Sequence, residues 1–189
     1  MIISRSIPLV EVRGRTLEGF AYEYAHPSKV TDDQGATYYY EQLLRDCDRK
    51  TIRDRASTGH SFPLQVWHGT TSNKGVMPPD EIGEVEFRPT DEGLAYKAVL
   101  SRGRLADEML DMVDDETARD VSVSYKPMRD IEGTHDGYVL VSRAEIALKE
   151  LSLCPTGTAQ HDGAKVLVMR SSNARPSAAE IRLRLLDLA

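Results

Sequence analysis

The sequence predicts an α+β domain, a mostly antiparallel β-sheet or barrel with a few helices around it. Three observations lead there. Short strand-like stretches follow one another closely, turn-forming clusters punctuate them, and only a few segments carry helical spacing. The gaps between strands are too short for a regular βαβ alternation. With 189 residues, 40% of them hydrophobic and 29% charged, the chain can bury a core without disulfide or metal staples.

The predicted strands cover residues 17–24, 62–68, 82–88, 93–100, 120–126, 138–141, 144–154 and 165–169. Turn signals separate them at Thr31-Asp32-Asp33-Gln34-Gly35, Asp91-Glu92-Gly93 and Asp136-Gly137. One helix is expected over 104–115, where Leu105, Met109 and Met112 or Val113 share a face and acids occupy the other. A second, of weaker periodicity, is expected over about 39–55. A third follows Ser177, which opens a capping box closed by Glu180 and continues with Ile181, Leu185 and Leu188 at helical intervals. Residues 169–176 read as a linker, so the chain divides into a domain over 1–170 and a tail over 171–189 that holds the linker and an amphipathic helix.

Composition excludes several classes of function. A formal net charge of −6 argues against nucleic acid as a direct ligand. No stretch approaches the ~18 apolar residues of a membrane span, and Arg5 and Pro8 spoil any signal-peptide reading of the N-terminus. Cys47 and Cys154 lie far apart with no metal or redox spacing, which fits a reduced, intracellular protein. His26, His60, His135 and His161 show no metal-ligand spacing, so neither a metal nor another cofactor is expected.

Three places can carry chemistry. Phe62, Leu64, Val66 and His68 alternate onto one strand face, which sets an imidazole at the end of an apolar row. Taken alone, this also fits a core-edge histidine held by a backbone carbonyl. In 120–126, Val121, Val123 and Tyr125 face the core, so Ser122 and Ser124 face away from it, as a nucleophile must. In 144–154, Ala144, Ile146 and Leu148 share a face with Glu150, and the apolar pattern then changes phase to Leu151 and Leu153. Either a bulge lies near Lys149-Glu150, or Glu150 points inward and needs a partner such as a histidine.

Taken in order, these elements resemble the prohead (capsid maturation) serine proteases of tailed bacteriophages, which are similar in fold to herpesvirus capsid-assembly proteases. The resemblance runs over about 7–170. Leu17-Glu18-Gly19-Phe20-Ala21 looks like the opening strand, and Tyr40-Glu41-Gln42-Leu43 stands in place of a Gly-Ala-Phe element. Phe62-Pro63-Leu64-Gln65-Val66-Trp67-His68-Gly69 resembles the catalytic-histidine strand, and Ile82-Gly83-Glu84-Val85 the glycine strand after it. Asp91-Glu92-Gly93-Leu94 matches the turn that follows. Asp120-Val121-Ser122-Val123-Ser124-Tyr125 is similar to the catalytic-serine strand, with Ser124 where glycine is usual. The stretch from Ala147 through Glu150 to Pro155 resembles the acidic strand, although its Pro-Ala ending is altered.

The resemblance implies a herpesvirus-assemblin-like barrel and a serine endopeptidase. Ser122 would be the nucleophile, His68 the general base and Glu150 the acidic third member. His161 is the rival for that third place, because herpesvirus relatives use a second histidine. The loop 156–161 is a candidate source of an oxyanion amide. The implied partners are the capsid scaffold, or the delta-domain of the major capsid protein, and the chain itself, through autoproteolysis or self-association. The implied setting is the immature prohead in the host cytoplasm. The competing reading is a non-catalytic, β-rich capsid-assembly module that docks a basic partner on Asp107, Glu108, Asp111, Asp114, Asp115 and Glu116.

Overall fold

A computed structural model describes residues 3–31, 35–69 and 80–156, with side chains from residue 14 onward except at residue 69. The elements are β1 (Ile3–Arg13), β2 (Thr16–Glu23), β3 (Ser28–Thr31), β4 (Thr37–Leu43), α1 (Arg49–Ser57), β5 (Phe62–Val66), a 3₁₀ turn (Trp67–Gly69), β6 (Glu81–Pro89), β7 (Gly93–Leu100), α2 (Arg104–Asp114), β8 (Asp120–His135) and β9 (Tyr138–Cys154). The strands form one nine-stranded sheet in the order β3-β4-β9-β5-β6-β7-β2-β1-β8, with β8 also pairing to β9. Pairing is antiparallel except where β4 and β5 meet β9.

The expected barrel needs a correction, because the sheet is open. β9 has 17 residues, enough to take β4 along 140–143 and β5 along 151–153 on one side while β8 occupies the other. β3 and β4 therefore leave as an arm, with β3 the outermost strand among the described residues. Beyond the arm, the order runs through β9, β5, β6, β7, β2, β1 and β8. The core lies among these strands: Leu17, Leu64, Val66, Ile82, Leu94, Val121, Val123, Leu151 and Leu153 are all buried. α2 adds Ala106, Met109 and Val113, so the buried stripe runs through Ala106 and leaves Leu105 exposed.

Local sequence explains the remaining departures. The helix expected over about 39–55 splits into β4 and α1. Thr37-Tyr38-Tyr39-Tyr40 is β-branched and aromatic, chemistry that suits a strand, and α1 buries none of its own residues. The stretches 138–141 and 144–154 are one strand, and β8 continues past residue 126 to His135. The two long strands meet at Asp136-Gly137, where φ values of 51° and 80° suit a tight two-residue hairpin turn. β1 and β3 had no clear alternation to announce them. The Asp91-Glu92-Gly93 turn is where expected, and a Cβ at Gly93 would collide with the Tyr22 carbonyl, so glycine lets β2 and β7 approach there. The strand expected over 165–169, the helix after Ser177, the 170/171 boundary, His161 and all of the 156–161 loop except Thr156 lie outside the described residues.

Candidate active site

The site begins with the register of β8 and β9. Ser122 pairs with Ser152 and Ser124 with Glu150. Strand period two then puts all four polar side chains on one face, and Val121, Val123, Leu151 and Leu153 on the core face. Between the pairs Ser124–Glu150 and Tyr125–Leu148, Lys149 is an extra residue. Of the two sequence alternatives the bulge is the one observed, and Glu150 lies on the face opposite the apolar set. The bulge absorbs the phase change at exposed Lys149, and Glu150 is turned away from solvent.

His68 comes to this face from β5. β5 and β8 flank β9, so they stand roughly 10 Å apart by two strand spacings. A strand continuing to residue 68, as the alternation suggested, would carry the imidazole past the site. β5 instead stops at Val66, and Trp67 and His68 turn back with φ of 47° and 57°. Left-handed backbone at two successive non-glycine residues costs roughly 1–3 kcal/mol each and persists only where the surroundings hold it. Here the His68 N–H donates to Ser152 Oγ at 2.9 Å.

The imidazole lies between two partners. Its Nδ1 is 2.6 Å from Glu150 Oε1 and its Nε2 is 2.9 Å from Ser122 Oγ. An ionised carboxylate only accepts, so Nδ1 carries the proton and Nε2 offers its lone pair to the Ser122 hydroxyl. Ser124 Oγ also lies 2.9 Å from His68, but at Nδ1, the protonated side. It is therefore placed to share the Nδ1 proton and not to give one up to the ring. Ser152 Oγ donates to Glu150 Oε2 at 2.7 Å, so both carboxylate oxygens are held. Together, these contacts give an ordered hydroxyl–imidazole–carboxylate line, a geometry able to activate an oxygen nucleophile.

The structure brings Ser122, His68 and Glu150 together. Ser122 and Ser124 face away from the core yet are both buried: Ser122 is only 1% exposed, while the His68 side chain is 24% exposed. Ser152 had not been singled out, although its position two residues beyond Glu150 on the same strand face was readable.

Three further buried acids, Glu41, Asp48 and Asp120, lie outside this line. Glu41 accepts from Arg143 Nε and, at 3.1 Å, from the Tyr125 hydroxyl, while Arg143 Nη1 reaches Asp130 at 2.7 Å. Asp48 Oδ2 accepts from the hydroxyls of Tyr22 at 2.6 Å and Tyr24 at 2.8 Å. Burial pushes the Asp48 carboxyl above its usual range, against the opposing pull of those two hydroxyls. Beside it, burial and the Asp48 charge hold the Cys47 thiol well up, as expected of an inert buried thiol. Among the described residues no group of three or more His, Cys, Asp or Glu side chains could hold a metal ion, and no helix is long and apolar enough to cross a membrane.

The fold is similar to that of a bacteriophage capsid assembly protease. The structure of the T4 protease gp21 matches with a TM-score of 0.53, covering 81% of this chain and 96% of that one. Sequence identity is 10%, so the likeness is one of fold. Neither a protein-family model nor any curated protein sequence matches the chain.

Proposed function

We propose that the protein is a serine endopeptidase that cleaves the capsid scaffold, or the delta-domain of the major capsid protein, and itself inside the immature phage prohead. The observation that carries this reading is the single imidazole held between Ser122 Oγ and Glu150 Oε1. The fold likeness to a capsid assembly protease supports the choice of substrate and setting.

In this mechanism Ser122 Oγ attacks the scissile carbonyl carbon as its proton passes to His68 Nε2. The imidazolium then protonates the leaving amine, the C–N bond breaks and an acyl-enzyme ester remains. Water, deprotonated by the same imidazole, hydrolyses that ester and returns the proton to Ser122. Glu150 fixes the tautomer and stabilises the imidazolium without itself becoming protonated.

The test is to incubate purified protein with its own scaffold and map the cuts by mass spectrometry. Ser122→Ala should give no cuts, and Ser124→Ala should keep most of them. Wild-type cleavage by Ser122→Ala would overturn the reading, and the reverse ranking would move the nucleophile to Ser124.

A further inference from the structure

We infer that Ser152 is a positioning residue for the His68–Glu150 pair, one hydroxyl that fixes the base's backbone and its carboxylate partner at once. The inference rests on the proposed peptidase reading. Its structural part can be tested without any turnover.

Three observations carry it. Ser152 Oγ accepts from the His68 N–H at 2.9 Å and donates to Glu150 Oε2 at 2.7 Å, so its proton is committed to the carboxylate while a lone pair is committed to the turn. The turn it holds has two successive left-handed non-glycine residues, Trp67 and His68, and the backbone N–H of the second is the group that Ser152 binds. Ser152 is also fully buried and paired directly with Ser122 across β8 and β9, so it touches both neighbours from a rigid strand. It meets neither ring nitrogen. Whatever it does to the imidazole must pass through the backbone of His68 and the carboxylate of Glu150.

Loss of the hydroxyl should let the 67–68 turn relax and let Glu150 rotate, and both motions displace Nε2 from Ser122. Displacements of this kind cost up to about 100-fold in rate when the reacting atoms are misaligned. Since no substrate contact is removed, the loss should fall on kcat and leave KM nearly unchanged.

The experiment compares the wild type with Ser152→Ala and Ser152→Thr. A scaffold peptide reports kcat and KM, and proton NMR at low temperature follows the hydrogen-bonded Nδ1 proton of His68. Ser152→Ala should lower kcat about 10- to 100-fold, with KM within about twofold, in a protein that still folds. It should also move or broaden the low-field Nδ1 resonance, and Ser152→Thr, which restores a hydroxyl, should recover the signal and most of kcat. An unchanged resonance and kcat in Ser152→Ala would overturn the inference. So would equal losses in the Ala and Thr variants with both folded. If Ser152→Ala does not fold, Ser152→Cys, with similar volume and a weak S–H donor, takes its place under the same criteria. The NMR signal is read from resting protein, so it judges Ser152 even if Ser122→Ala shows that the peptidase reading is wrong.

Discussion

Glu150 and Glu41 are both buried carboxylates on this sheet, yet their partners give them different uses. Glu41 faces a guanidinium, a cation that cannot lose its proton in a protein, so the pair is fixed and structural. Glu150 faces an imidazole, whose charge appears and disappears with one proton, so its electrostatic influence changes when that proton arrives. Asp48 completes the series: it has two tyrosine hydroxyls and, among the described residues, no hydrogen-bond partner for Oδ1. Burial alone therefore does not mark a reactive acid. The chemistry of the group opposite it does.

This contrast predicts three graded outcomes. Glu150→Gln keeps the shape but removes the charge that selects the His68 tautomer, and should lower kcat on a scaffold peptide by about 10²–10⁴-fold with melting temperature unchanged. A large stability loss instead would make Glu150 a structural acid like Glu41. Arg143→Met should do the reverse, leaving an unneutralised buried carboxylate and costing about 3–5 kcal/mol in urea unfolding. The double variant Glu41→Gln/Arg143→Met should regain most of that loss. If the single and double variants are equally unstable, the Glu41–Arg143 charge pairing is not what matters there.

Asp48 should give the smallest effect, and its sign is fixed by the direction of its shift. Its carboxyl is raised in the folded state, so its contribution to stability is fully present below the ordinary carboxylate pKa of ~3.9 and is lost as pH rises through the folded value. Asp48→Asn removes that loss. The melting temperature of the variant relative to wild type should therefore climb as pH rises above about 4. A difference that is flat or falls with pH would show that Asp48 is not held in this way.

Much of the site was legible because strand periodicity is a short-range signal. Alternation in 120–126 separated Ser122 and Ser124 from the core, and the phase change at Lys149-Glu150 marked the bulge. The sequence could not show that Trp67 and His68 leave the strand in a left-handed turn, because contacts from β9, distant in sequence, hold that conformation. Nor could it choose between the two serines by chemistry, since that depends on which ring nitrogen each one meets. Elsewhere, tyrosines that suit a strand stood next to a charged run that suits a helix. The boundary between β4 and α1 was blurred for that reason.

In the proposed mechanism Ser122, and not Ser124 or Ser152, is the hydroxyl that His68 activates. Treating the protein with a fluorophosphonate, which phosphonylates activated serine hydroxyls, and mapping the adduct by peptide mass spectrometry tests it directly. The adduct should form on Ser122 and should be nearly abolished in His68→Ala. An adduct on Ser124 or Ser152, or labelling of Ser122 at an undiminished rate in His68→Ala, would rule out Ser122 as the hydroxyl activated by His68.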